Sequence, residues 1–268
     1  MKLRRSLSLA ATAVVALGVS ALGPMTASAQ EPAAAAHYVA LGDSYSSGVG
    51  AGSYDEASGD CRRSTVAHPE LWADANAPAS FQFPACSGAT TTDVLNNQLG
   101  TLDAATTLVS ISIGGNDAGF ADTMSTCVLE GTDACLSAVA AANGVISGTL
   151  PGRLDALYGA IRAGAPDAQV AVLGYPRIYE PGGDCSFGIG EESRTAINGA
   201  ADNLHEVISK AAADHGFAYG DVRPAFTGHE ICSGDEWLNS ITLPVGDSYH
   251  PNAAGQSDGY YPVLESLA

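Results

Sequence analysis

The run His37-Tyr-Val-Ala-Leu-Gly-Asp-Ser-Tyr-Ser-Ser-Gly48 decides how the rest of the chain is read. Residues 38–41 are apolar, and Gly42-Asp43 stops them. A short apolar run bounded by turn residues is the pattern of a strand buried on both faces. The strand therefore delivers Ser44 to a turn at its end. A serine in that place is often simply the cap of the next helix. It becomes a candidate nucleophile only if a base and an orienting group lie elsewhere, because a serine hydroxyl is weak until a base takes its proton. Gly48, Gly50 and Gly52 follow, but Ser53 stands where a dinucleotide loop needs its third glycine, and no lysine completes a phosphate loop.

Outward from this run, short strands alternate with helices. Strands are predicted over 38–41, 81–83, 107–113, 169–173 and 217–219. Helices are predicted over 69–76, 92–99, 191–213 and 253–267, with a long Ala-rich helical region over 134–163 broken near Gly148 and Pro151. The 191–213 segment places Ile197, Ala201, Leu204, Ile208 and Ala211 on one face at the helical period. Alternation of this kind implies a parallel sheet covered on both faces. In such sheets the active site lies at the carboxyl ends of the strands, so the glycines at 42, 114 and 174 all mark one edge. Two Gly- and Pro-rich segments, 176–190 and 223–247, read as functional surface loops. Their apolar residues Ile178, Tyr179, Phe187, Trp237 and Leu238 are expected to be exposed.

Three further stretches complete a constellation. Cys86-Ser-Gly-Ala-Thr90 follows a short strand, and Gly88 there can bring a backbone N–H close to a ligand. Ile113-Gly-Gly-Asn-Asp117 ends the most strand-like run, and Asn116 can offer its amide to developing negative charge. Either alone reads equally well as a turn. Asp247-Ser-Tyr-His-Pro-Asn252 puts a histidine three residues after an aspartate. The other histidines, at 37, 68, 205, 215 and 229, sit in no comparable frame.

Taken together, Gly-Asp-Ser, a glycine, Gly-x-Asn-Asp and Asp-x-x-His in this order resemble the GDSL, or SGNH, hydrolase family, whose four blocks carry Ser, Gly, Asn and His. The matching positions are Ser44, Gly88, Asn116 and His250, and the resemblance spans nearly the whole chain beyond the leader. Within the family the detailed runs look like the secreted Streptomyces lipases. Tyr45 stands where the family name has leucine. The resemblance implies a three-layer α/β/α, flavodoxin-like fold, no metal or other cofactor, and ester hydrolysis with broad acyl substrates. It implies Ser44 as nucleophile, His250 as base, and Ser44, Gly88 and Asn116 as the oxyanion hole. Two groups stay open as the orienter of His250: the Asp247 carboxylate, slightly favoured, and the main-chain carbonyl of Ser248. A polysaccharide acetylesterase would use the same fold and residues, and a secreted binding protein could inherit the scaffold.

Composition bounds the setting. Lys2, Arg4 and Arg5, an apolar stretch over 6–23 and Ala27-Ser28-Ala29 form a signal-peptide pattern ending at residue 29, with a leader trimmed as far as about 36. The expectation is one SGNH hydrolase domain over 37–268, secreted and monomeric. Without the signal, eight basic residues face 29 acidic ones, a net charge of −21. That argues against nucleic acid as a partner, which needs clustered Lys and Arg, and against attraction to anionic membranes. No later stretch reads as a membrane span. The resemblance implies a lipid or other ester substrate as the partner, for which the exposed apolar residues of the two loops would line an acyl groove or meet a lipid surface. Six cysteines, at 61, 86, 127, 135, 185 and 232, imply disulfides in an exported chain. Spacing alone leaves fifteen connectivities; the expectation is sequential pairing. No cluster suggests zinc.

Overall fold

The computed structural model describes residues 35–185 and 188–268. The signal-peptide pattern and Phe187 lie outside the described residues. The first strand, β1 (His37–Gly42), leads into a single-turn helix α1 (Ser44–Ser47). Then follow α2 (His68–Asn76), β2 (Ser80–Gln82), α3 (Thr91–Asn97) and β3 (Leu108–Ser112). A helical layer of α4 (Phe120–Leu129), α5 (Thr132–Gly148) and α6 (Leu150–Gly164) precedes β4 (Gln169–Leu173). The chain closes with α7 (Glu191–Asp214), β5 (Ala218–Gly220), α8 (Arg223–Phe226), a π-helical turn at Gly255–Tyr260 and α9 (Tyr261–Glu265).

All five strands are parallel, in the order β2-β1-β3-β4-β5. This is the flavodoxin-like order, in which the winding reverses between β1 and β3 and leaves a crevice at their carboxyl ends. Val39 pairs with Val109 and Leu41 with Ile111, so Gly42 and Ser112 end the two central strands side by side. Every residue of β3 is buried, as is all of β1 but His37. That is the both-faces burial the apolar runs imply.

Boundaries depart from the sequence reading where tertiary contacts override local pattern. The helix α4 is absent from that reading; it is rich in Ser and Thr, begins at left-handed Gly119 without a side-chain cap, and is tied to α5 by Cys127–Cys135. Thr149 separates α5 from α6, with Pro151 in the first turn of α6, a position Pro suits. The predicted 253–267 helix is instead a π-helical turn running into a short α-helix, and the ring of Phe226 packs where a Cβ at residue 259 would stand. No single helix among the described residues is long and apolar enough to cross a membrane. The pair α5 and α6 would pass by composition, but they are bent by 47° and their apolar faces, from Val139 to Ile161, lie in the core.

The remaining cysteines pair as Cys61–Cys86 and Cys185–Cys232. The second joins the two Gly- and Pro-rich loops. Those loops also pair through a bridge between Tyr179 and Ile231, and the Asn198 side chain accepts the Ile178 and Tyr179 N–H groups at 3.0 and 3.1 Å. As a result Ile178, Tyr179 and Leu238 are buried and Trp237 is half-buried, which corrects the expectation that they are exposed.

Candidate active site

The turn after β1 is built to present Ser44. Gly42 has φ +128°, and a Cβ there would fall on Ser46 Oγ and the Ser112 carbonyl, so only glycine lets β1 and β3 close at this point. Asp43, not Ser44, caps α1: its carboxylate accepts the Tyr45 N–H at 3.0 Å. Ser44 is thus the first helical residue, its N–H pointing out of a helix N-terminus with no hydrogen-bond partner among the described residues.

His250 reaches this hydroxyl from the other end of the chain. Its Nε2 lies 2.8 Å from Ser44 Oγ, and its Nδ1 lies 3.0 Å from the Ser248 carbonyl. A carbonyl can only accept, so Nδ1 carries the proton and Nε2 turns its lone pair to the serine. Burial is the main cause that lowers the imidazole pKa from 6.5 to about 4; the Ser248 contact opposes it. The nearby charges of Arg62 and Asp247 push in opposite directions. The histidine is therefore neutral at pH 7.

The Asp247 carboxylate makes no hydrogen bond to His250 among the described residues. It pairs with Arg62 and accepts the Tyr54 hydroxyl at 3.2 Å. Of the two orienting groups the sequence leaves open, the geometry favours the Ser248 carbonyl over the Asp247 carboxylate: past the turn Val245–Asp247 that carbonyl meets His250, while the carboxylate turns to Arg62.

Several residues to which the sequence assigns no part in the site hold this loop. Tyr45 donates to the Tyr249 carbonyl at 2.7 Å, joining the serine turn to the histidine loop. Asn239 accepts the Tyr249 N–H on its main-chain carbonyl at 2.8 Å and gives its own N–H to the His250 carbonyl at 2.9 Å. Its side-chain amide donates to the Gly50 carbonyl at 2.9 Å. Gly50 lies so close that a Cβ there would meet His250 Cβ at 2.8 Å. His68 is a buried core residue bonded to Gln256, with no part in the site.

Gly88 and Asn116 border the same pocket as Ser44 and His250. The Gly88 N–H has no partner among the described residues. Asn116 donates one amide hydrogen to the Ala89 carbonyl at 3.0 Å, which fixes its orientation and leaves the other free. Its neighbour Asp117 locks the loop by accepting the Thr91 N–H and hydroxyl at 2.9 and 2.7 Å and the Arg153 guanidinium at 3.1 Å. The Tyr175 hydroxyl bonds the Asp43 carboxylate and accepts the Gly115 N–H at 3.2 Å, so it joins the serine turn to the asparagine loop. Burial raises the Asp43 carboxyl to about 7, against the pull of its bonds from Tyr175 and Tyr45.

The pocket holds about 580 Å³, and apolar side chains that include Phe120, Met124, Ile146, Ile178 and Leu204 line it together with Ser44. That volume is of the size that takes small organic ligands. Among the described residues no group of His, Cys, Asp and Glu is arranged to hold a metal ion.

A flavodoxin-like sheet with a serine, a histidine and free N–H donors at its switch point defines a hydrolase of the SGNH type. The sequence profile of the GDSL-like Lipase/Acylhydrolase family matches residues 40–257, and the chain belongs to that family as a GDSL-type ester hydrolase. It is 60% identical over 256 residues to Lipase 1 of Streptomyces coelicolor, covering 95% of each chain. It is 56% identical over 266 residues to a lipase of Streptomyces rimosus, covering 99% of each. Among solved structures, phospholipase A1 from Streptomyces albidoflavus NA297 superposes with a TM-score of 0.86 at 64% identity, over 88% of this chain and all of that one. The acetylxylan esterase Axe2 of Geobacillus stearothermophilus, at 13% identity and a TM-score of 0.56, shares the fold alone.

Proposed function

We propose that the chain is a secreted lipase or phospholipase that hydrolyses long-chain carboxylic esters through an acyl-enzyme on Ser44. His250 Nε2 takes the Ser44 proton as Oγ attacks the ester carbonyl. The tetrahedral oxyanion is held by the N–H groups of Ser44 and Gly88 and by the free hydrogen of the Asn116 amide. Collapse expels the alcohol, which takes the proton from Nε2. Water then attacks the acyl carbon, gives its proton to Nε2, and the serine leaves with that proton as the acid departs. The Ser248 carbonyl holds Nδ1–H throughout, so the pair acts as a dyad. Asp247 is a positioning residue that steadies the turn before Ser248.

The observation that carries this reading is the position of His250, between Ser44 Oγ at 2.8 Å and the Ser248 carbonyl at 3.0 Å, in the lining of a largely apolar pocket of about 580 Å³. The lipase and phospholipase names of relatives above 55% identity support a lipid substrate. The likeness to the extracellular lipase from Streptomyces rimosus, at 61% identity and a TM-score of 0.86, together with three disulfides and the leader pattern, supports secretion. We further propose a single catalytic domain over 37–268, active as a monomer and without a nucleic-acid partner. A panel of p-nitrophenyl acetate, decanoate and palmitate with phosphatidylcholine tests the substrate class. Faster turnover of the long-chain esters is expected; a clear preference for acetate would favour a polysaccharide acetylesterase.

A further inference from the structure

The large hydrophobic side chains that remain exposed among the described residues are Val128, Leu129, Ile241, Leu243 and Val245. They fall in two segments, the end of α4 and the loop before the histidine, and nowhere else. Four of them, all but Leu243, also line the pocket that holds Ser44 and His250. The exposed apolar surface is therefore continuous with the acyl-binding pocket and forms the rim of its opening. Single exposed hydrophobic residues need no explanation, but a cluster around a ligand site marks an interaction surface.

Leu243 separates a binding surface from a mere pocket wall. It is 85% exposed and does not line the pocket, although its neighbours Ile241 and Val245 do. A dissolved single substrate molecule would leave it in water. A lipid surface resting on the rim would cover it together with Leu129, which is 79% exposed, and Val245, which is 68% exposed. Charge narrows the choice of surface. The full chain carries 29 acidic against 11 basic residues, and Arg62, which packs beside Gly246 in the second segment, is paired with Asp247. Among the described residues the pocket lining includes no Lys or Arg to meet an anionic headgroup, and the overall charge repels one.

We propose that Leu129, Ile241, Leu243 and Val245 form an apolar rim that docks the enzyme onto a zwitterionic lipid surface, with the pocket opening facing the bilayer. The proposal rests on the long-chain ester reading above. Docking through the rim lets an ester leave the bilayer and enter the pocket without crossing water, and its affinity comes from apolar insertion.

The test uses vesicles of ether-linked phosphatidylcholine, which carry no ester to hydrolyse. The full-length enzyme is expected to sediment with them, and Leu243→Ser to bind about ten- to a hundred-fold more weakly. Both proteins should hydrolyse soluble p-nitrophenyl butyrate equally. Leu243→Trp should show a blue-shifted emission on adding the same vesicles. Equal binding by Leu243→Ser, an unshifted Leu243→Trp, or binding that tightens when phosphatidylglycerol is added would overturn the proposal. So would a native dimer that Leu243→Ser converts to monomers, since the rim would then belong to a second copy. Failure of the native enzyme to hydrolyse either butyrate or long-chain esters would instead sink the functional reading and leave the docking result to stand separately.

Discussion

His250 Nδ1 lies 3.0 Å from the main-chain carbonyl of Ser248, while the carboxylate of Asp247, one residue earlier, turns to Arg62 and Tyr54. A carbonyl fixes the imidazole tautomer as a carboxylate would, but it brings no full negative charge to the imidazolium that forms in the transition state. The fold supplies the missing support through the Arg62–Asp247 pair and the Asn239 clamp, which hold the carbonyl where it is.

Asp247→Asn should therefore reduce kcat/KM by less than about ten-fold, because the amide keeps the Tyr54 contact and the Ser248 carbonyl stays in place. A triad aspartate would cost ~10⁴ in turnover. Steady-state kinetics on a soluble ester distinguishes the two, and a loss of thousands would restore Asp247 to the role the sequence suggested.

Asn116→Ala should lower kcat a hundred- to a thousand-fold, with KM little changed. The amide meets charge that develops only in the transition state, and Ala89 already fixes its orientation. A rise in KM alone would make Asn116 a turn residue.

The acid side of the pH–rate profile should extend well below the ordinary histidine value. Catalysis needs neutral His250, and burial lowers its pKa from 6.5 to about 4. Activity on kcat/KM should thus persist through pH 5 and fall only as the pH approaches 4. Folding must be followed in parallel. His68, pushed by burial to about 4, is depressed in the same way. The unfolded chain then binds more protons than the folded one below about 6.5, so the stability from these two groups is present above that pH and is lost as the pH falls through 4. An activity midpoint near 6.5 in a protein still folded by circular dichroism would contradict the burial argument.

Tyr175→Phe should lower kcat more than it raises KM, and should destabilise the fold by about 1–3 kcal/mol. The lost hydroxyl joins Asp43 to the Gly115 N–H, and removing it leaves both buried groups without that partner. The serine turn and the asparagine loop would then move independently. Thermal unfolding and kinetics on the same sample check this; unchanged values for both would show that the bridge is idle.

The legible parts of the molecule were those set by local pattern. Residues 38–41 are apolar, and 107–113 are β-branched and apolar but for Ser110 and Ser112, because β1 and β3 are buried on both faces; the residues that follow each strand end, Ser44 and Asn116, border one pocket at the switch point because the strands are neighbours. What stayed hidden depends on contacts between distant segments. Arg62 and Asp247 are 185 residues apart, Tyr175 and Asp43 132, and no spacing rule links them. Ile178, Tyr179 and Leu238 were misread as exposed because a Gly- and Pro-rich loop ordinarily lies at the surface, whereas here two such loops cover each other. The large apolar residues exposed among those described are instead Val128 and Leu129, at the end of α4, and Ile241, Leu243 and Val245, within the 223–247 loop but at positions other than those the sequence singles out.

The central claim is that Ser44 becomes covalently acylated. Incubating the enzyme with a fluorophosphonate and mapping the modified peptide by mass spectrometry tests it most directly. The expected result is one phosphonyl adduct on Ser44, formed in step with loss of ester hydrolysis, and no adduct in Ser44→Ala, whose turnover should fall on the order of a million-fold. An adduct on another serine, or loss of activity with Ser44 unmodified, would contradict the account.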